Sequence, residues 1–523
     1  MEEEKISWEI IDTYFKENPY HLVKHQLESY NDFLNNGIKQ IFREKNPVKL
    51  SKAQNENNEF KYNLEMYFGG KNGNKIYYGK PIIYDQENKR SHYMYPNEAR
   101  LRNMTYGLSI HYDVDVYFKI LDEEGNMNES MITLNKIFLG RFPIMLQSDL
   151  CILQNMNPEI RFNMGECRND PGGYFIIDGK EKVIVSQEKF ADNMIKYRSD
   201  VNEHYSHAAE IRSVSEDASK PIRNFSVRIG RETNQIVVVL GNVRKPIPLF
   251  ILMRALGVIS DKEIIQTCLL DLEKNEDYIE LFRPSIYEAA GIYTQQAALE
   301  YIKTFTKNKT VPFTLNILMD LLFSHMGELN FREKALFLGN IVKRLLRVFT
   351  KEDKPTDRDS FKYKRVEVAG SLLYDLFKEY YNLQQKSIFL KMDKEYYYKK
   401  SLYDNDFTSL IENNYFEFFK ERTVEIGFRK AFKGNWGAQA YTKRTGIVQD
   451  LNRLSFNSFI SQLRKLNLDM DSSAKVIGPR LLNSTQWGII DSLDTPDGGN
   501  VGLHKHLAIL SYITKSCSGF GFI

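Results

Sequence analysis

Cysteine is scarce in this chain: four residues in 523, Cys151, Cys167, Cys268 and Cys517, far apart and with no CxxC pair. That spacing excludes a disulfide framework and a cysteine-rich zinc site, and it suits a reducing compartment. An excess of charge of either sign is also missing. The 71 basic and 68 acidic residues leave +3 with histidine neutral, so there is no global case for a nucleic-acid or membrane partner, and any such face is local. Long apolar runs are missing too. The longest, residues 247–259, is interrupted by Arg254 and is too short to span a bilayer. The opening MEEEKISWEI is acidic and lacks the apolar centre of a secretory signal. The chain reads as soluble and intracellular. Its 42% apolar and 27% charged residues are ordinary for a globular protein. At about 150 residues per domain its length predicts three or four domains.

The first forty residues predict helices, with Ser7 as N-cap for a face of Trp8, Ile11, Tyr14 and Phe15. From residue 58 the pattern turns to strands. Residues 110–118 alternate apolar with polar, and two β-rich runs flank Asp178-Gly179, a two-residue hairpin signal. A polar stretch at 200–225 opens a second region, with strands at 224–229 and 235–240 and then mostly helix. Its strongest helix is 332–349, apolar around most of its circumference and so buried. Residues 351–364 read as a charged linker with Pro355, 371–383 as helix, and the chain from 428 onward as loops rich in Gly, Asn and Pro.

Several arrangements that resemble sites fail on chemistry. The glycine-rich stretch at 69–75 lacks the GK[ST] ending of a phosphate cradle and reads as a hairpin turn. Asp113 and Asp115 fall on one side of an alternating strand and read as a solvated face. His504 and His506 flank Lys505 without a third ligand, and His204 with His207 has the same defect, so no metal site is expected. No GxSxG, HExxH or Cys–His nucleophile arrangement is present.

Charge is unevenly spread. Residues 428–515 hold 12 Lys or Arg against 6 Asp and no Glu, +6, which leaves −3 for the rest of the chain. A basic surplus in one loop-rich segment is what a phosphate-facing surface requires.

That segment contains GNWG at 434–437, TGIVQDLNRLSF at 445–456, SQLRKLN at 461–467, GPRLLNSTQWG at 478–488 and DTPDGGNVGLHKHL at 494–507. Upstream, in order, stand YPNEARLRNMTYG at 95–107, LGRFPIML at 139–146, GGYFIIDGKEKVIVSQE at 172–188, HAAEIRS at 207–213, FILMRALG at 250–257 and DRDSFKYKRVEVAGSLL at 357–373. Together they resemble the second-largest, β-like subunit of multisubunit DNA-directed RNA polymerases, in its eukaryotic, archaeal or large-DNA-virus style. The resemblance covers nearly the whole chain. It implies an α+β multidomain fold: a mixed α/β protrusion at 1–199, an inserted, mainly helical lobe at 200–366, the protrusion resumed at 367–433, and a loop-rich fork at 434–523. The sequence ends before the hybrid-binding, wall and zinc-bearing parts of that family.

The resemblance also implies roles. The fork loops would lie near the RNA–DNA hybrid, which nominates Lys443, Arg444, Gln449, Arg453, Arg464, Lys465, Lys475 and Arg480 as nucleic-acid-binding residues. The family's CPAETPEG stands here as residues 491–498, DSLDTPDG, so that Asp494 and Asp497 replace two glutamates. Asp497 is then the expected neighbour of the active site. No catalytic or metal-binding residue is expected in this chain. Magnesium would sit on the partner largest subunit, and the family's zinc lies beyond residue 523. The expected partners are that subunit, other polymerase subunits, template DNA and the hybrid, without a membrane. The expected setting is a nucleus, or a virus factory or virion. The expected function is template-directed RNA synthesis within the complete enzyme, with this chain alone inactive. The alternative is a non-catalytic binding or assembly module from a split or truncated polymerase gene.

Overall fold

The alternating stretch at 110–118 forms the centre of an antiparallel sheet, as the strand Gly107–Leu121. The computed structural model describes residues 2–54, 60–85, 90–121, 127–215, 222–440 and 442–514, so Cys517 and the end of the segment expected to form a fork lie outside the described residues. Met127–Pro143 runs along one edge of the central strand, from Gly107 opposite Pro143 to Leu121 opposite Met127. Along the other edge, Phe60–Phe68 pairs with 114–120 and Ile76–Tyr78 with 110–112, and Val48–Gln54 lies outside Phe60–Phe68.

The glycine-rich stretch at 69–75 is therefore not a hairpin turn. Both flanking strands are antiparallel to the same central strand, so they share a direction and do not pair with each other. The loop steps around Asp113: Gly69 N–H donates to the Asp113 carbonyl (2.7 Å) and Asp113 N–H to the Lys75 carbonyl (3.2 Å). Gly73 has φ +67°, and a Cβ there would come 2.6 Å from the Lys39 carbonyl, so close helix contact explains the glycine.

Asp113 and Asp115 do not form a solvated face either. Both are buried, in a strand whose register shifts twice between Ile110 and Val114. Asp115 receives Lys75 Nζ at 2.8 Å and the Thr133 hydroxyl at 3.1 Å. Asp113 accepts from the Tyr77 hydroxyl and Lys136 N–H, each at 2.8 Å. Satisfied carboxylates of this kind can be buried because each has a donor.

These strands belong to the first of two compact units, Met1–Lys189 joined to Val366–Ile523. Its first helix, Glu2–Glu17, runs through Ser7 rather than starting there, because acidic residues favour the positive end of a helix and extend it backward. The helix expected at 371–383 is Ala369–Tyr398, 30 residues long. It continues because Gln384 and Gln385 are buried and bonded, Gln385 to the Tyr381 hydroxyl at 2.5 Å. At its start Gly370 lies so close to helix Lys24–Asp32 that a Cβ would come 1.8 Å from the Ser29 carbonyl. Phe42, Phe377, Tyr381 and Phe428 form the aromatic centre of this core.

Asp178-Gly179 forms the expected tight turn, both at positive φ, between Phe175–Ile177 and Lys180–Ile184. Val448–Asp450 pairs with the second of those strands. Lys465–Leu468 runs parallel to residues 186–188 and antiparallel to His504–His506. Distant segments of sequence are thereby tied to one frame.

The second unit is Phe190–Arg365. It begins before the polar stretch at 200–225, because Ile195–Ser199 pairs with a strand inside that stretch, Tyr205–Ser213. Arg223–Gly230, Ile236–Val239 and Ile247–Pro248 follow in order, making a five-stranded antiparallel meander. Helix Phe331–Phe349 packs on helix Asp261–Leu269 through Gly339, where a Cβ would come 2.5 Å from the Thr267 carbonyl. Arg254, which interrupts the long apolar run, is buried; its guanidinium donates to the Ala289 carbonyl (3.0 Å), to Ile292 and to Asp261. Helices and several sheets make the chain α+β. No described helix is long and apolar enough to cross a membrane.

Candidate nucleic-acid interface

Two loops carry the nominated cations, and each is shaped by its own sequence. In the first, Gly437 takes φ +90°, and a Cβ there would come 2.3 Å from the Thr442 carbonyl. Glu379, on helix Ala369–Tyr398, gathers the loop: its carboxylate accepts Ala438 N–H (3.1 Å), Gln439 N–H (2.9 Å) and the Thr442 hydroxyl (2.6 Å). Arg444 N–H closes it on the Trp436 carbonyl at 3.0 Å. The result presents Lys443 to solvent, and its ammonium has no ion-pair partner among the described residues. Arg444 turns inward to Glu367 (3.1 Å) and Asp469 (3.7 Å).

The second loop, 469–475, is held by Arg480. Its guanidinium donates to four carbonyls: Gly499 (2.6 Å), Val501 (3.1 Å), Ser472 (2.9 Å) and Ala474 (3.2 Å). Hydrogen bonds from Ser473 hold the Asp471 carboxyl below its ordinary range. Lys475 is exposed at the end of this loop without an ion-pair partner among the described residues.

The other nominated residues are engaged inside the molecule. Arg453 spans Glu181 (2.9 Å from Nε), Asp170 (3.2 Å) and the Tyr174 hydroxyl (3.0 Å), and lies over the Phe459 ring. Arg100 meets the same group from the other side, donating to Glu166 (2.7 Å), Glu181 (2.9 Å) and Tyr174 (2.8 Å). Burial alone would raise the Glu181 carboxyl, but bonds and charge from Arg453 and Arg100 outweigh it and leave it lowered. Burial raises the Tyr174 hydroxyl well above its ordinary value. Sequence reasoning nominated one member of this network; Glu166, Asp170, Tyr174 and Arg100 sit within or beside the family-like motifs, which was the available signal.

Arg464 is 4% exposed and meets no carboxylate among the described residues. It donates to the carbonyls of Leu22 (2.8 Å), Ala508 (2.5 Å) and Ser511 (3.1 Å), and burial lowers its pKa. Beside it burial pushes His25 down to about 4, helped by the Arg464 charge, while His25 Nε2 sits 3.1 Å from the Leu463 carbonyl. Lys465 is half-buried on its strand, its pKa lowered by burial. Gln449 donates to the Gly446 carbonyl at 3.1 Å. Asp497 caps the turn after it by accepting Gly498 N–H at 2.8 Å, and Asp494 accepts from the Ser461 hydroxyl (2.7 Å) and faces His506 (3.2 Å). Lys505, between the two histidines, is buried against Glu188 at 2.8 Å. Among the described residues no group of three or more His, Cys, Asp or Glu is placed to hold a metal. The loops thus offer two free cations on a frame held by arginines, which suits phosphate contact rather than bond chemistry.

Comparison with known proteins decides the family. A family model described as RNA polymerase beta subunit matches residues 21–412. The chain belongs to that family. A second model, RNA polymerase Rpb2 domain 3, matches residues 449–513 and so contains the second loop and Arg453. The DNA-directed RNA polymerase II subunit RPB2 of Encephalitozoon cuniculi is 34% identical, covering 98% of this chain and 44% of its own length. RNA polymerase II subunit 2 of Arabidopsis thaliana is 32% identical over 98% of this chain and 44% of its own. RNA polymerase III subunit RPC2 of Saccharomyces cerevisiae is 30% identical over 97% and 42%. The chain spans less than half the length of these relatives.

Proposed function

We propose that this β-family chain forms part of the second-largest subunit of a DNA-dependent RNA polymerase and acts in template-directed RNA synthesis. The observation that carries the proposal is the pair of family matches in order, 21–412 and 449–513, with the second containing the loop that exposes Lys475. In this reading the second unit is the lobe, the sheet and long helix of the first unit are the protrusion, and residues 434–514 are the fork beside the RNA–DNA hybrid. Lys443 and Lys475 meet phosphates through counterion release, while Arg444 and Arg480 hold the loops that present them and Arg453 and Arg464 brace the surrounding frame. Asp497 orders the turn nearest the reacting centre. The partner largest subunit supplies the magnesium ions and the chemistry, so this chain alone is inactive. The eukaryotic relatives favour a nuclear setting, and the subunit reading is favoured over a stand-alone assembly module.

The test is affinity capture of the tagged chain from its source cells, followed by mass spectrometry and a primed-template RNA synthesis assay. The expected result is co-capture of a largest polymerase subunit together with template-dependent synthesis. Capture without any polymerase subunit, or sustained synthesis by the purified chain alone, overturns the proposal. In the assembled enzyme, Lys443→Glu with Lys475→Glu should reduce the salt dependence of nucleic-acid binding by about one unit of slope for each phosphate no longer neutralised. An unchanged slope removes both residues from the interface.

A further inference from the structure

The second unit carries a cation cluster that the fork reading does not use. Phe190 is half-buried, and three cations gather on its ring: Lys196 Nζ at 3.6 Å from the centroid, Lys364 Nζ at 4.0 Å and the Arg358 guanidinium carbon at 5.5 Å. Lys196 comes from strand Ile195–Ser199, whereas Arg358 and Lys364 come from the segment that closes the unit. Main-chain pairing holds the two together, with Ala191 N–H donating to the Tyr363 carbonyl at 2.8 Å.

Nearby carboxylates already have partners. Glu210, directly across the strand pair from Lys196, bonds Arg198 at 3.1 Å. Asp192 faces Arg212 at 3.5 Å. Neither Lys196 nor Arg358 has an ion-pair partner among the described residues. The ring offers each cation the attraction of its π face, but a ring carries no net charge to offset theirs. Burial and then the charges of Arg358 and Lys364 push the Lys196 ammonium down to about 8, against a smaller opposing pull from Glu210.

We propose that Phe190, Lys196 and Arg358 form a binding site for a phosphate group. The guanidinium of Arg358 is exposed and can present its fork to two phosphate oxygens, while the partly desolvated Lys196 supplies a point charge. Lys364 is buried beneath and adds to the positive field whatever else it contacts. A bound dianion restores the protonated state of Lys196, so binding and protonation of this lysine rise together. The phosphate is either a free anion or one unit of a nucleic-acid backbone, and the site chemistry is the same for both.

The test is lysine footprinting of the full chain with an amine-acylating reagent at pH 8, read by mass spectrometry. Lys196 should label readily, since a large share of it is neutral there. Millimolar inorganic phosphate should slow its labelling by about fivefold, the scale of a charge-assisted contact, and Arg358→Gln should abolish that protection while leaving the labelling of the remaining lysines unchanged. Sodium chloride at matched ionic strength should not protect. Protection by oligothymidylate at far lower concentration assigns the site to a polynucleotide backbone; protection by inorganic phosphate alone assigns it to a free anion, and either supports the site. Protection reproduced by chloride, or retained in full by Arg358→Gln, overturns the proposal.

Discussion

The second unit and the loop-rich segment at 434–514 are stabilised by opposite means. In the second unit, helix Phe331–Phe349 buries Leu338, Ile341, Val342, Leu345 and Leu346 against neighbouring helices and the meander, and its buried Arg254 is one polar clamp inside an apolar core. In the loop-rich segment, large apolar side chains face outward, Leu454 at 90% and Leu493 at 88% exposure, and arginines do the holding. Arg480 and Arg464 gather main-chain carbonyls, and Arg453 gathers carboxylates. A guanidinium has five donors in a fixed plane, so one residue can fix several loop segments that have no ladder of their own. Loops shaped this way keep their surfaces free for contact, which a packed helix cannot.

Four measurements break or sharpen this contrast. The largest effect is expected in the second unit: Leu345→Ala should cost about 4 kcal/mol in urea unfolding, through the forfeited transfer energy and the cavity left behind. A cost similar to that of an exposed leucine would deny that apolar packing dominates there. Next comes acid. His25 has its folded pKa depressed to about 4, from an ordinary 6.5, by burial and then by Arg464. The unfolded chain therefore binds the extra proton first as pH falls. The stabilising contribution is complete above 6.5 and lost between 6.5 and 4, to a total of about 3 kcal/mol. Lowered Glu181 acts in the same sense at more acid pH, since its contribution is present above the unfolded carboxylate range and lost as pH falls through its folded value. His25→Gln should flatten the upper window in pH-dependent unfolding, and an unaltered profile would assign the loss elsewhere.

Arg464→Met removes the clamp while keeping an apolar stem, taking this donor from the part-buried carbonyls of Leu22, Ala508 and Ser511. It should cost about 2 kcal/mol and expose 505–512 to limited proteolysis. Arg464→Lys should rescue only part, because one ammonium cannot reach all those carbonyls. The smallest effect belongs to the outward apolar surface. Leu493→Ser should change the stability of the isolated chain by less than about 0.5 kcal/mol, and a larger loss would show that this side chain is packed in solution.

What sequence alone revealed follows the range of the interactions. The Asp178-Gly179 turn was legible because its determinants are two adjacent residues. The helix at 332–349 was legible as a helix, but not as one buried on most sides: Arg332, Leu336, Asn340, Arg344 and Arg347 form an exposed face opposite the packed one. The loop at 69–75 was misread, since its strands pair with a third segment forty residues on. Asp113 and Asp115 were misread for the same reason: Lys75, Tyr77 and Lys136, which satisfy them, are not visible in the local pattern. In the candidate interface, motif order pointed to the loops and their cations. It could not separate the exposed Lys443 and Lys475 from Arg464, whose acceptor on Leu22 lies 442 positions earlier in the chain.

The Arg464 clamp also bears on how the chain matures during synthesis. The turn His21–Val23 that leads into helix Lys24–Asp32 is made early, yet the arginine that fastens that turn and the carbonyls at 508–511 emerge hundreds of residues later. The strand at Val448–Asp450 likewise reaches back to a hairpin completed by Ile184. Between these halves the ribosome delivers Phe190–Arg365, a contiguous unit with its own core and sheet, which can fold as it appears. The first unit must hold its early strands and helices ready through that interval, and the guanidinium of Arg464 closes on them only after it.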